Sequence, residues 1–272
     1  MSNELRHAVV TGSSSGIGRF LAESLAQRGH EICGLARSPQ KRFNFQCDVS
    51  DYSALQNCAA GITAKWKAID GLVCCAGIQE PIGPAMETDP ATWRSALAVN
   101  LDGTFFSIRA LYPLLRRASR RAKIICFSGG GSTSPRPNFA AYGVAKTGVV
   151  RLVETLAAEW DKLPLDINAV APGAIYTRMT EQVLAHGEKL VGKKEFESAR
   201  SLSRDNSDKL GKVLGLVEFL LSANSDGISG KLISAQWDPW ERLAEHKPDL
   251  DSDIYTLRRI VPDDRGKKWG DR

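Results

Sequence analysis

The chain is expected to fold as one doubly wound α/β domain, a parallel sheet of about seven strands with helices on both faces, and three observations predict it. Short apolar runs alternate with longer stretches of helical period over most of the 272 residues. The short runs are apolar almost throughout, as in EICGLA at 31–36 and KIICF at 123–127, the pattern of strands covered on both faces. The first of them runs straight into a glycine turn that opens a helix.

In order, strands are expected at 8–10, 31–36, 43–47, 71–74, 123–127, 166–170 and 231–234, with helices near 17–28, 53–65, 92–117, 140–162 and 206–222. Such an alternation needs right-handed crossovers between parallel strands. Two regions break the rhythm. Residues 174–205 are polar and weakly periodic, offer little that looks like core, and read as a lid segment within a catalytic domain spanning 1–235. Residues 236–272 read as a tail that packs on the body or on a neighbouring subunit, with Trp237, Trp240, Tyr255 and Trp269 spread among charges from 237 on.

Composition excludes several classes. The formal charge is +5, from 36 basic and 31 acidic residues, and much of the excess lies in Arg258, Arg259, Arg265, Lys267, Lys268 and Arg272. That is too diffuse for a nucleic-acid surface and fits a site for an anionic cofactor. No apolar stretch approaches the roughly 20 residues that span a bilayer, and the N-terminus does not read as a secretory signal. The cysteines (33, 47, 58, 74, 75 and 126) lack CxxC spacing and sit mostly in expected strands, so a reduced, cytoplasmic protein with inert core thiols is expected. Vicinal Cys74 and Cys75 leave a redox-sensing role as a minor alternative. His7, His30, His186 and His246 are scattered and show no metal-ligand spacing, so no metal is expected.

The segment VVTGSSSGIG at 9–18 has the physics of a dinucleotide turn. Gly12 can take a backbone conformation that other residues resist, Gly16 lets the chain approach a pyrophosphate, and Gly18 lets the helix pack on the strand. Ser14, Ser15 and Ile17 complete the loop, whose helix N-terminus points free N–H groups at an anion. At the end of the second strand, GLARS at 34–38 has no acid to hold both ribose hydroxyls, and Arg37 suits a 2′-phosphate. NADP(H) is therefore expected over NAD(H), with Asp48 and Val49 near the adenine.

Tyr142 and Lys146 are four apart in AAYGVAKTGVV and so share one face of a helix. A free phenol, with a pKa near 10, is a poor base at neutral pH. A nearby ammonium would favour the phenolate, so Tyr142 could exchange a proton with a carbonyl or alcohol oxygen.

Together these motifs resemble the short-chain dehydrogenase/reductase family over roughly 5–235. The resemblance rests on TGSSSGIG, Asp48-Val49, Cys74-Cys75-Ala76-Gly77, Asn100 in VNLDG, Tyr142-x-x-x-Lys146, and Pro172-Gly173 with Thr177, in that order along the chain. It implies that Tyr142 is the proton donor or acceptor and that Lys146 also holds the nicotinamide ribose. It further implies that Asn100 supports a water relay to the lysine, that Ala76 and Gly77 bind the cofactor, that Pro172 and Gly173 lie against the nicotinamide, and that Thr177 contacts the cofactor amide or phosphate. Two positions depart from the family pattern. Cys74-Cys75 replaces the usual asparagine pair, and Gly129 stands thirteen residues before Tyr142, where a serine normally contacts the substrate oxygen. Ser128 or Ser132 could supply that hydroxyl if the glycine-rich loop bends.

The expected function is hydride transfer between NADP(H) and a carbonyl or secondary alcohol of a small polar molecule, such as a sugar derivative. Arg178, His186, Lys189, Lys193 and Lys194 in the lid suggest a polar or anionic substrate. The alternative is an NADP(H)-binding sensor that has lost turnover. The resemblance also implies a homodimer or homotetramer formed through the long helices near 92–117 and 140–162.

Overall fold

A computed structural model describes residues 6–38 and 44–270. Seven strands form one parallel sheet in the order β3-β2-β1-β4-β5-β6-β7. They are β1 (His7–Thr11), β2 (Glu31–Ala36), β3 (Asn44–Gln46), β4 (Gly71–Cys74), β5 (Ala122–Phe127), β6 (Leu165–Ala171) and β7 (Leu232–Ser234). Each expected strand is present, although Phe43 lies outside the described residues.

Alternation along the strands sorts the core into two layers, because successive side chains point to opposite faces. Val9, Ile124 and Ala169 face α2 (Tyr52–Lys65), α4 (Gly103–Leu115) and α5 (Ala140–Glu159). Their neighbours Val10, Ile125 and Val170 face α1 (Gly16–Gln27) and α8 (Ser207–Leu221). Both faces are buried, which is why the strand sequences carry no polar alternation.

Two expectations are corrected. The stretch 92–117 is not one helix: α3 (Pro90–Leu97) passes through a π-helical turn, Ala98–Asp102, before α4 begins. Asn100, fully buried inside that turn, donates from Nδ2 to the Ala96 carbonyl at 2.9 Å. Hydroxyl side chains follow suit, with Thr104 donating to the Asn100 carbonyl at 3.0 Å. Side-chain competition of this kind for backbone acceptors accompanies such irregular turns.

The segment 174–205 holds two helices, α6 (Arg178–Val191) and α7 (Lys193–Ser201), and it carries a core of its own. Val183, Val191 and Ala199 are buried against Ile82 and Phe139, with Leu184 and Phe196 packed alongside. Breaks at Gly187 (φ +76°) and Gly192 (φ +87°) scatter these apolar positions off a single helical period.

The tail lies against the body. Leu243 and Leu250 join the layer of α1 and α8, and Lys231 Nζ donates to the Ser252 and Ile254 carbonyls at 2.8 and 3.1 Å. The Leu232 amide donates to the Tyr255 carbonyl at 2.8 Å, while Trp237 and Trp269 are exposed. No helix among the described residues is long and apolar enough to cross a membrane.

Candidate active site

Parallel strands deliver all their C-terminal ends to one edge of the sheet, where a cleft of about 630 Å³ opens. Ile17, Gly77, Ser128, Tyr142, Lys146, Pro172, Gly173 and Thr177 line it. On the β1 side, Gly12 adopts φ +68°, and a Cβ there would come within 2.8 Å of the Ala76 backbone. No side chain fits between these two loops. The Ala76 amide donates to Thr11 Oγ1 at 3.1 Å, fastening the loop after β4 to the glycine turn without the usual asparagines. Ser15 is the N-cap of α1 and makes no side-chain capping bond, which leaves the first N–H groups of the helix without a side-chain cap. Thr177, the N-cap of α6, comes across to the same turn, its Cγ2 lying 3.8 Å from where a Gly16 Cβ would be.

Arg37 is exposed just beyond β2, and its charge reaches Asp48. Burial alone would raise the Asp48 carboxyl, but hydrogen bonds from the Ser50 hydroxyl and amide, with help from Arg37, hold it below the usual carboxylate range. Val49 is buried against Gly103 at the start of α4. Ser13 was not foreseen from the sequence. Its hydroxyl is buried near Gly34 of β2, with no hydrogen-bond partner among the described residues.

At the other end of the cleft, α5 presents Tyr142 and Lys146 together, the ammonium 5.7 Å from the phenol ring centroid. Both are buried. Lys146 Nζ donates to the Phe127 carbonyl at 2.8 Å. Burial draws the ammonium down from an ordinary 10.5 to about 8. The Tyr142 phenol moves upward, because burial dominates, and the charge that counters it is Arg136 rather than Lys146. The expected lowering of the phenol by its helix neighbour is therefore corrected: both groups pay for desolvation, and each is more readily neutral than in water.

Asn100 is committed on both sides of its amide. Oδ1 accepts from the Ile78 amide at 3.2 Å, and Nδ2 donates to the Ile78 carbonyl at 2.8 Å. It thereby holds the loop that follows Gly77 against the π-helical turn.

Gly129 lies directly against the phenol, and a Cβ there would come within 2.2 Å of Tyr142 Oη. The Ser128 hydroxyl is buried in the cleft lining with no hydrogen-bond partner among the described residues. Ser132 is also buried in the lining, and its amide donates to the Gly129 carbonyl at 3.2 Å. Among the lid cations expected to face the substrate, Lys194 lines the cleft, whereas Arg178, His186, Lys189 and Lys193 do not. Three lining residues had no signal in the sequence: Gln79, Arg136 and Glu195 come from separate segments and meet only in the fold.

The six cysteines are free; burial pushes the Cys33 thiol up to about 12 and that of Cys75 upward, and a hydrogen bond with Cys126, together with burial, raises that of Cys74. Thiols so disposed are poor nucleophiles. No group of three or more His, Cys, Asp or Glu among the described residues is placed to hold a metal ion.

This geometry has close parallels. The family model for short chain dehydrogenases matches residues 6–187. Short chain dehydrogenase mpl6 of Monascus purpureus is 28% identical over 280 residues, covering 94% of this chain and 89% of that protein. Galactitol 2-dehydrogenase (L-tagatose-forming) of Cereibacter sphaeroides is 36% identical over 186 residues, covering 64% of this chain and 72% of the relative. Among solved structures, a short chain dehydrogenase of Escherichia coli CFT073 complexed with NADPH superposes with a TM-score of 0.74 at 23% identity, covering 87% of this chain and 100% of that one.

Proposed function

Because the chain belongs to the short chain dehydrogenase family, we propose that it is an NADP(H)-dependent oxidoreductase interconverting a carbonyl and a secondary alcohol on a small polar molecule, such as a sugar derivative. The observation that carries this reading is the buried Tyr142–Lys146 pair at the floor of the cleft. NADP(H), when bound, supplies or accepts the hydride, and the protein manages position and protons.

Burial keeps Tyr142 protonated at neutral pH, so Oη is ready to donate to a carbonyl oxygen in the reductive direction. Lys146, with its pKa drawn to about 8, can exchange a proton near neutral pH and holds its place through the Phe127 carbonyl. The unpartnered Ser128 hydroxyl is the second donor for the substrate oxygen, in the role a serine at 129 would otherwise take. Asn100 positions the loop after β4.

The residues present fit the cofactor. The turn at Gly12, the uncapped start of α1 with Ser14, Ser15, Gly16, Ile17 and Gly18, and the orphaned Ser13 hydroxyl form a cradle for a pyrophosphate and ribose. Arg37, with no acid in its place, supports a 2′-phosphate, hence NADP(H). Ala76, Gly77, Pro172, Gly173 and Thr177 would frame the nicotinamide, and Asp48 and Val49 the adenine. A neighbour of the same fold holds NADPH, and a relative acts on galactitol. Exposed Phe105 on α4 and Val144 on α5 support a homo-oligomer built through these helices. Six free thiols suit a reducing, cytoplasmic setting.

The test is loss of NADPH absorbance against a panel of ketones, keto-sugars and quinones, repeated with NADH. Turnover preferring NADPH is expected. Tight NADPH binding with no turnover in either direction would replace this reading with that of a sensor.

A further inference from the structure

The substrate half of the cleft holds an ion pair that proton transfer does not require. Arg136 lies with its guanidinium carbon 3.8 Å from the Phe139 ring centroid and 5.9 Å from that of Tyr142. It packs along the glycine run, its Cδ, Nε and Nη1 at van der Waals distance, 3.6–3.7 Å, from where a Gly130 Cβ would lie. Nη2 donates to Glu195 Oε2 at 2.8 Å, which ties the arginine to α7 of the lid. With the Gln79 amide oxygen facing the guanidinium, that oxygen accepts from Nη1 at 2.8 Å and Nη2 at 2.9 Å, and the Gln79 nitrogen donates to the Met179 carbonyl at 3.2 Å.

These side chains are fixed but not saturated. Three guanidinium hydrogens are used, two toward Gln79 and one toward Glu195, and a guanidinium has about five. The Glu195 carboxylate likewise has acceptor sites beyond the one Arg136 takes. The side chains of Arg136 and Glu195 are 17% and 27% exposed, and both line the cleft with Tyr142. An acceptor and a donor side by side complement two adjacent hydroxyls, one giving its hydrogen to the carboxylate and the other accepting from the guanidinium. Neutralisation of Arg136 by Glu195 also disfavours a carboxylate or phosphate, which would have to displace the glutamate. Of the other cations lining the cleft, Lys146 donates to the Phe127 carbonyl and Lys194 is exposed to solvent.

Resting on the oxidoreductase reading above, we infer that Arg136 and Glu195 form a hydroxyl-reading subsite that selects neutral substrates bearing a vicinal diol beyond the reacting carbon, polyols and keto-sugars, over simple alcohols and over sugar acids.

The experiment compares galactitol, cyclohexanol and D-gluconate on the wild-type protein, Glu195→Gln and Arg136→Lys. Oxidation with NADP+ is followed by absorbance, and galactitol binding to the NADP+-saturated protein by calorimetry. Expected are a wild-type preference for galactitol over both others, and a fall in the galactitol-to-cyclohexanol ratio of kcat/KM of roughly tenfold or more in each variant, mainly through KM. Calorimetry should show a matching loss of galactitol affinity. If nothing turns over but galactitol binds and both variants weaken it, the subsite stands and the oxidoreductase reading fails. A ratio and an affinity within about twofold of wild type in both variants, gluconate bound more tightly than galactitol, or no galactitol binding at all, overturns the subsite.

Discussion

At Gly129 an absent side chain decides where a reactive one sits. The Tyr142 hydroxyl occupies space that any Cβ at 129 would enter, 2.2 Å away. A Gly129→Ala variant should therefore displace the phenol while leaving the fold in place, since overpacking at one flexible tip costs about 1–3 kcal/mol. Turnover should drop roughly tenfold or more from the misplacement, read as kcat beside a thermal melt. Unchanged kcat would show that the phenol does not work from this position. Lys146 makes a prediction about pH. Its native pKa of about 8 lies below the ordinary 10.5, so between these values the unfolded chain holds a proton that the native chain has released. Stability then rises with pH across that window. Urea unfolding of wild type and Lys146→Met from about pH 8 to about pH 10 should show the wild type gaining on the variant, and a flat difference would contradict the buried, depressed ammonium. The Tyr-Lys pair was legible in the sequence because four-residue spacing on a helix is a local property. The charge that bears on Tyr142 was not legible, because Arg136 reaches it through loop packing that no spacing encodes.

Among the elements, one hydroxyl joins the start of α6 to the loop before it. Thr180 Oγ1 accepts from the Thr177 amide at 3.2 Å and donates to the Ile175 carbonyl at 3.1 Å, in a buried position. Thr180→Val keeps the shape and leaves both backbone groups unmet, at a cost of about 1–3 kcal/mol. Limited proteolysis should then cut α6 or α7 faster in the variant than in wild type. Equal cutting rates would mean that this bond does not hold the lid. The strands and most helices could be read from their periods, but the lid could not. Its few apolar residues find partners in Ile82 and Phe139, far away in sequence, and its two glycine breaks reset the helical phase. The π-helical turn at Asn100 was hidden for a related reason. The Asn100 side chain within it is bonded to Ile78, distant in sequence, whereas the local sequence supports an unbroken helix.

For the molecule as a whole, the parallel sheet separates structural from chemical polarity. Near the N-terminal end of β5, Lys123 is buried with Nζ 2.7 Å from both Asp166 Oδ2 on β6 and Asp226 Oδ1, and it donates to Ser225 at 3.1 Å. These charges are mutually satisfied. At the C-terminal edge the opposite holds, since the Ser13 and Ser128 hydroxyls are buried without partners among the described residues and two ionisable groups are desolvated in one cleft. Unsatisfied polarity of this kind costs stability and gains its reason from a ligand. The parallel sheet of about seven strands covered on both faces followed from the apolar runs and their alternation with helical stretches, while the substrate end required residues from the β4 loop, the glycine run and α7 to come together. The most direct test of the central claim uses NADPH deuterated at the transferable position, with the best substrate from the carbonyl panel. Mass spectrometry of the product should show deuterium on the new carbinol carbon with wild type, and a loss on the order of 10²-fold or more in Tyr142→Phe that still binds NADPH. Equal labelling rates in the two proteins would contradict the assignment of the proton to Tyr142, and no labelling in either would contradict the oxidoreductase itself.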